Sequence, residues 1–495
     1  MLFYNEDWVH FIMTRYNSGI EVTEQILKDY IYSLKGTQIT DFAMNVNGTI
    51  STAPSEVFET FADKYLATEE NGVEVDFKNT YAQVAYNLIC EKKIDMYKIW
   101  IDALKEIGIN PWISIRINDC HGNCEKTEIR KSSFVEANPD LHLAAYRNGT
   151  GYFDKCLDYS NEKVINRMLK YIEEMLNRYD VYGLELDMMR DFVLTKPGFE
   201  QDINKFLSDV INVKKKFEDK YNHKIKLMLL LPSSPNLCLE KGVNPIDYAD
   251  EIDNVVIIAR WQTTDTDMPI ELWKQLLRGT DINLGCGQQI FTRPYFAHKP
   301  AITSVKMAFG QAMANLSRGC DFVYLYNYMD MVEYETGLET FSYGESIRND
   351  ENRHFLLGNI GKTETLIKQE RSHVVTYADF TNCSLTASSV LPLEFTGKTG
   401  FKTVKIPVGK IPKNAKVKLI LGVKSEEKLT ASDFEIYANS AACAYLETTR
   451  INEMIYENDC YVFDISKNLA DIIYAEIRTK KAALVEYVMI DVIPE

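Results

Sequence analysis

The stretch WISIRINDCH at residues 112–121 shows the pattern that decides the fold of this chain. A short run rich in β-branched and aromatic residues stops at a group of polar residues, and a long amphipathic segment with a helical apolar period precedes it. The same two kinds of segment alternate through the first two thirds of the chain. Such alternation is typical of a parallel sheet whose strands are connected by helices.

Eight such apolar runs predict strands, at residues 2–4, 40–44, 112–116, 183–186, 226–231, 254–259, 282–284 and 322–326. Helices are predicted at residues 22–34, 80–107, 160–178, 199–220, 270–277 and 301–316, the third with Ser160 as its N-cap. Eight strands with intervening helices favour a closed (β/α)8 TIM barrel, of the α/β class, over an open doubly wound sheet. No glycine-rich dinucleotide fingerprint follows the first strand, which also disfavours the open sheet.

The last quarter of the chain has a different pattern of apolar and polar residues. Short alternating runs are separated by turn residues, as in FKTVKIPV at 401–408, KVKLIL at 416–421 and VEYVMIDV at 485–492. This pattern predicts a C-terminal β-sandwich over residues 366–495, following a barrel domain over residues 1–365. Packing against the barrel or a dimer contact is the more common role of such a domain, and carbohydrate binding is the alternative.

Composition and charge exclude several classes of function. A net charge of −16 argues against a nucleic-acid partner and against affinity for anionic membranes, since both need clustered Lys and Arg. No signal-like start and no apolar stretch of roughly 18 residues are seen, so we expect a cytoplasmic protein. Ten dispersed cysteines predict reduced thiols, and the pair Cys120 and Cys124 lacks the second pair of a zinc site. We expect no metal and no cofactor.

Polar residues stand where the predicted strands end. In a barrel of this kind the C-terminal strand ends carry the chemistry, so the candidate site residues are chosen from among these polar residues. Strand seven is followed by Gln288 and Gln289. The candidate catalytic and substrate-binding residues at the other strand ends are Asp7, Asn45, Arg116, Asn118, Asp119, His121, Glu185, Asp187, Arg190, Arg260 and Asn327.

Three of these residues are arginines, which is notable in an acidic protein. Arg116, Arg190 and Arg260 predict a locally cationic pocket and an anionic substrate. A carboxylate is preferred over a phosphate because no phosphate-binding glycine loop is present. For each arginine alone, a salt bridge to a neighbour such as Asp119 or Asp187 is an equally good interpretation.

Two further features concern proton transfer. His121 lies in a loop after a strand and can accept a proton from water, although a loop histidine more often only makes hydrogen bonds. Glu185 and Asp187 share one face of a strand and point into the barrel if Leu184 and Leu186 pack under the helices. They then resemble the acid pair of many glycosidases, or Asp187 simply orients Arg190 through an ion pair.

Four segments together resemble glycoside hydrolase family 156, the inverting exo-sialidases. They are NEDW at 5–8, WISIRINDCH at 112–121, YGLELDMMR at 182–190 and YLYN at 324–327. The Arg-x-Asn-Asp-x-His arrangement of the second segment is the most specific of them. A wider group of bacterial glycosidase-like barrel proteins shares similar motifs at strands three and four.

The resemblance implies a barrel with a β-rich C-terminal region, commonly dimeric, that releases terminal sialic acid from sialylated oligosaccharides or glycoconjugates with inversion and without a metal. It places Asp7 and His121 on either side of the anomeric carbon, Arg116 and Arg190 on the sugar carboxylate, and Asn327 against the sugar. His121 is then the base and Asp7 the acid, although the two roles can be exchanged.

Two alternatives follow from the residues themselves. One is a glycoside hydrolase for another acidic sugar, such as a uronic acid, that uses Glu185 and Asp187. The other is a barrel that binds sugar without cleaving it.

Overall fold

A computed structural model describes residues 1–71, 79–120, 130–143, 155–189, 192–259, 266–295, 301–328, 350–378, 388–450 and 458–495. Eight parallel strands close into a barrel, in which each strand pairs with its neighbours in chain order and the last pairs with the first. The strands are β1 Leu2–Asp7, β2 Asp41–Asn45, β3 Asn110–Arg116, β4 Gly183–Asp187, β5 Lys226–Pro232, β6 Asn254–Ile258, β7 Asn283–Gln289 and β8 Phe322–Tyr326. The predicted TIM barrel is confirmed.

Side chains of the barrel strands alternate between the interior and the layer beneath the helices. The interior is filled by one apolar cluster that includes Phe3, Trp112 and Tyr324. Leu184 and Leu186 belong instead to the large core between strands and helices. Because the side-chain period of a strand is two, Glu185 and Asp187 face the interior, as predicted.

The helices surround the barrel, and six of those in the described residues were not predicted from the sequence, at residues 8–17, 61–71, 133–137, 235–240, 350–359 and 363–366. The helices are α1 Trp8–Asn17, α2 Glu24–Tyr32, α3 Phe61–Asn71, α4 Asn79–Tyr86, α5 Met96–Glu106, α6 Ser133–Ala137, α7 Glu162–Arg178, α8 Asp202–Tyr221, α9 Pro235–Glu240, α10 Ile270–Leu276, α11 Val305–Ser317, α12 Asp350–Asn359 and α13 Thr363–Leu366. None of the described helices combines the length and the hydropathy that a membrane span requires.

Two details of the helix prediction were wrong. The single helix predicted over residues 80–107 is divided, because α4 runs into a π-helical turn, Lys93 adopts a positive φ, and Asp95 caps a new helix by accepting a hydrogen bond from Lys98 N at 3.3 Å. The cap of α7 is Asn161, not Ser160. The Ser160 hydroxyl is engaged elsewhere, since it donates to Asp158 at 2.7 Å.

The C-terminal region is a β-sandwich, as predicted. Its strands are β9 Arg371–Val374, β10 Leu393–Thr396, β11 Lys402–Pro407, β12 Lys416–Lys424, β13 Phe434–Ala438, β14 Ala444–Thr449, β15 Asp459–Asp464, β16 Ile472–Thr479 and β17 Ala482–Ile493. One sheet has the order β9-β17-β12-β15-β14, with β10 also paired to β17, and the other contains β11-β16-β13. Both sheets contribute to one core, for example Leu419 from the first and Ile477 from the second.

The sandwich packs against the barrel through α11. Met307 of that helix lies in a buried cluster with Val374, Ile420 and Tyr487 of the first sheet. Gly310 lies so close to β9 that an added Cβ would stand 2.1 Å from the Ser372 carbonyl oxygen. This contact covers part of the outer face of the first sheet, so it favours the interpretation that this domain packs against the barrel.

Candidate active site

The described candidate residues gather at the C-terminal mouth of the barrel. Asp7 and Asn45 are register partners at the ends of β1 and β2, and Arg116 and Asp187 are register partners at the ends of β3 and β4. All four are buried. The candidates His121, Arg190 and Arg260 lie outside the described residues.

Arg116 is the centre of an ion-pair cluster. Its Nη2 donates to Asp7 Oδ2 at 2.8 Å, its Nη1 lies 3.6 Å from Asp119 Oδ2, and its Nε lies 4.0 Å from Asp187 Oδ2. The salt-bridge interpretation of Arg116 is therefore observed, with Asp7 as the closest of these three carboxylates. The carboxylates of Asp7, Asp119 and Asp187 therefore lie on three sides of this guanidinium, and the predicted cationic character of the pocket, which depends also on Arg190 and Arg260, stays a prediction.

The backbone of Arg116 is held by Asn47, for which no role was predicted from the sequence. Asn47 Oδ1 accepts a hydrogen bond from Arg116 N at 3.0 Å, and Asn47 Nδ2 donates to Arg116 O at 2.9 Å. The pair orients the end of β3. The available signal was its place two residues after Asn45, where a polar residue again follows the apolar run of β2.

Glu185 lies deeper in the barrel than the ion-pair cluster. It is fully buried, and its two oxygens accept hydrogen bonds from Ser114 Oγ and from the Tyr324 hydroxyl, each at 2.6 Å. Burial, together with the negative charge of Asp187, raises the pKa of Glu185 to about 8. This carboxyl group is therefore protonated at neutral pH.

Asp187 connects the two layers. Its Oδ1 accepts a hydrogen bond from Met189 N at 2.9 Å, and its Oδ2 accepts one from the Tyr326 hydroxyl at 3.1 Å. These donors and the nearby Arg116 suit the charged form of a carboxyl group. The site thus contains two acids of one strand in different surroundings, a pattern associated with acid and base roles.

The amide side chains of the site differ in what they bind. Asn118 Oδ1 accepts from Leu157 N and its Nδ2 donates to Leu157 O, both at 2.9 Å, and Nδ2 also reaches Val193 O. These bonds give Asn118 a structural role in holding two loops. Asn327 follows β8 in a left-handed conformation, with φ at 50°, and its backbone N donates to Asn5 Oδ1 at 3.3 Å.

Metal binding has no support in the described ranges, which contain no group of three or more His, Cys, Asp or Glu side chains arranged to hold an ion. The eight described cysteines form no disulfide with one another.

Comparison with known proteins gives no family. No family model and no curated protein sequence matches the chain. A family 18 glycoside hydrolase, an N-acetylglucosaminidase from Paenibacillus barengoltzii, is 10% identical over 59% of this chain and 69% of its own, with a TM-score of 0.32. A candidate alpha-L-fucosidase from Bacteroides thetaiotaomicron is 9% identical over 100% of this chain and 95% of its own, with a TM-score of 0.38.

A third solved structure is a family 138 glycoside hydrolase that targets pectin rhamnogalacturonan II. It is 9% identical over 72% of this chain, with a TM-score of 0.41, and this chain covers 38% of its length. With identities this low and TM-scores below 0.5, the function must be inferred from the residues of the site.

Proposed function

We propose that this protein is a glycoside hydrolase that releases a terminal acidic sugar, sialic acid, from an oligosaccharide or glycoconjugate with inversion. The observation that carries the proposal is the buried ion pair between Asp7 and Arg116 at the barrel mouth. It places a carboxyl group suited to proton transfer beside a guanidinium suited to a sugar carboxylate. The four segments that resemble family 156 include the C-terminal ends of β1, β3, β4 and β8, which lie at this mouth.

The ion pair suggests how substrate binding could lead to protonation of Asp7, the proposed acid. Without substrate, the Arg116 guanidinium favours the ionised form of Asp7. A substrate carboxylate bound to Arg116, and to Arg190 as the resemblance implies, would share that positive charge and so favour protonation of Asp7. The acid then becomes available only when substrate is bound.

The bond changes follow from inversion. Asp7 gives its proton to the glycosidic oxygen as the bond from that oxygen to the anomeric carbon breaks. A water molecule attacks the opposite face of the carbon, and His121 accepts its proton. Arginines beside the reacting centre offset the negative charge of the sugar carboxylate.

A second candidate function uses Glu185 and Asp187 on another acidic sugar, such as a uronic acid. The observation in its favour is the pKa of Glu185, about 8, which leaves a protonated acid beside Asp187. The depth of Glu185 weighs against it, because this carboxyl group is fully buried and Ser114 and Tyr324 occupy both of its oxygens.

The test is hydrolysis of a fluorogenic aryl sialoside by the wild type and by Asp7→Asn. We expect the wild type to be active and the variant to lose at least about 100-fold in kcat, the usual contribution of a general acid. Asp41→Asn is the matched control, because Asp41 lies at the other end of the barrel, where it accepts hydrogen bonds from Trp112 Nε1 at 2.9 Å and Asn110 Nδ2 at 3.0 Å. Its kcat should stay near that of the wild type.

Further variants separate the alternatives. Loss of activity in His121→Ala supports the sialidase mechanism, whereas activity on an aryl uronide that survives His121→Ala but not Glu185→Gln supports the second function. Well-folded wild-type protein that binds sialic acid without hydrolysing any sialoside would identify a non-catalytic sugar-binding barrel.

A further inference from the structure

The interior face of β7 carries glycine at the two positions below its last residue, Gly285 and Gly287. An added Cβ at Gly285 would stand 2.3 Å from the Phe322 ring, and one at Gly287 would stand 2.7 Å from Ile258 Cβ. Phe322 and Ile258 both belong to the interior cluster. Alternation along the strand then puts Gln289 on the same face, above the two glycines and at the level of the mouth, while Asn283 lies at the opposite end of that face.

Neighbouring contacts agree with this placement. Gln289 is the register partner of Tyr326, whose hydroxyl donates to Asp187 in the site. The preceding residue, Gln288, points the other way, since its Nε2 donates to Ala308 O in α11 at 3.2 Å. Gln289 therefore lies beside the acids although it was not among the candidate site residues.

The orientation of the Gln289 amide is fixed by its neighbour. Its Nε2 donates to Ala259 O at 3.0 Å, and a carbonyl oxygen can only accept, so the amide nitrogen must face Ala259. The amide oxygen Oε1 is buried and has no hydrogen-bond partner among the described residues. Burying an acceptor without a donor costs free energy, so this oxygen is suited to a ligand.

Two more amide side chains at the mouth also have a buried oxygen without a hydrogen-bond partner among the described residues. Asn45 and Asn327 are buried, and Oδ1 of each lacks a partner within the described part of the chain. With Gln289 they stand at the ends of β7, β8 and β2, on either side of Asp7 at the end of β1. We call these three residues, Gln289, Asn327 and Asn45, the acceptor arc.

We infer that Gln289 is a ligand-binding residue that determines specificity, and that its Oε1 accepts a hydrogen bond from a sugar hydroxyl or amide N–H. The inference rests on the proposed function and names the part of the substrate that this side of the mouth recognises. A neutral acceptor oxygen repels a carboxylate, so the acidic group of the sugar points toward Arg116 and its donor groups point toward the acceptor arc.

The test compares Gln289→Met with Gln288→Met, which makes the same change on the outer side of the same strand. Activity is measured on the fluorogenic aryl sialoside and on analogues that each lack one hydroxyl or carry an ester in place of the amide. We expect Gln289→Met to lower kcat/KM roughly tenfold or more on the parent substrate. On the analogue that lacks the donor bound by Gln289, the variant and the wild type should react equally.

Gln288→Met should retain the wild-type kcat/KM. Equal losses in Gln289→Met on every analogue, or no loss on any, would overturn the inference. If Gln289→Met does not fold, Gln289→Ala is measured in its place with the same expectations.

Failure of the proposed function gives a different result. If the wild type hydrolyses no sialoside, binding of free N-acetylneuraminic acid and of glucuronic acid is measured by calorimetry. Binding that weakens roughly tenfold in Gln289→Met but not in Gln288→Met upholds the inference without the sialidase activity. Equal binding by both variants, or no binding of either sugar by the wild type, overturns it.

Discussion

A single carboxyl group inside the barrel, Glu185, is held in its neutral form by its surroundings. It is fully buried and the charge of Asp187 lies nearby, and these two causes outweigh the hydrogen bonds from Ser114 and Tyr324, which favour the charged form. Its pKa is about 8, compared with 4.5 for an ordinary glutamate. The native protein therefore keeps a proton that the unfolded chain releases over the pH range between these two values.

This difference makes stability depend on pH. Because the native state binds more protons than the unfolded state between about pH 4.5 and pH 8, the contribution of Glu185 to the free energy of unfolding falls as pH rises through that window. The slope is at most about 1.4 kcal/mol per pH unit. We expect Glu185→Gln, which cannot ionise, to become progressively more stable relative to the wild type from pH 5 to pH 8. Urea unfolding at four pH values measures the difference, and a difference that does not change with pH would contradict the prediction.

The charged residues of the candidate site were selected from the sequence, whereas most of the residues that form hydrogen bonds with them were not. Asp7, Arg116 and Asp187 were identified because each stands where an apolar run ends. The hydrogen bond from Tyr324 to Glu185 joins residues 139 positions apart, and it exists only because the barrel brings those two strands to opposite sides of one interior. A pattern read along the chain contains no such information.

At the scale of elements, strands were predicted more reliably than helices. Barrel strands are buried on both faces, so they read as apolar runs with sharp ends. The break between α4 and α5 at Lys93 does not interrupt the helical period of the apolar residues, so it was not predicted. Helix α1 was missed for another reason, which is that it follows β1 with no loop between them. Asp7 ends β1 and also caps α1, accepting a hydrogen bond from Val9 N at 3.1 Å. That bond uses Oδ1 and leaves Oδ2 for Arg116, so the cap orients the proposed catalytic carboxyl group.

The glycines of β7 give a prediction at this scale. Gly285→Ala would place a methyl group against the Phe322 ring inside a filled barrel, and such overpacking costs about 1–3 kcal/mol of stability. Gly358→Ala in α12 is the control, because nothing lies within 4 Å of its added Cβ and alanine favours a helix. Thermal unfolding should show a lower melting temperature for Gly285→Ala and an equal or higher one for Gly358→Ala. Equal melting temperatures for both variants would mean that the interior has room for the methyl group.

At the scale of the whole molecule, barrel and sandwich are joined by a contact with both apolar and charged parts. Met307 packs into the cluster on the first sheet, and Lys405 of β11 reaches Asp267 in the barrel domain at 2.8 Å. Arg318, at the end of α11, pairs with the same Asp267 at 3.2 Å. A contact of this kind, with a buried apolar cluster and ion pairs beside it, couples the unfolding of the two parts, so we expect one cooperative transition for the wild type.

Gly310 offers a way to break that coupling. A valine there would meet the Ser372 carbonyl oxygen of β9, a backbone atom that cannot move without shifting the sheet, so Gly310→Val should force α11 and the sandwich apart. All five tryptophans lie within the first 273 residues, so tryptophan fluorescence follows the barrel, whereas far-ultraviolet circular dichroism follows both parts. In urea the two signals should coincide for the wild type and for the control Gly358→Val, whose added side chain has open space around its Cβ. For Gly310→Val the dichroism should begin to change at lower urea than the fluorescence, because the undocked sandwich unfolds first. Coincident transitions in Gly310→Val would show instead that the two parts unfold as one unit without this contact.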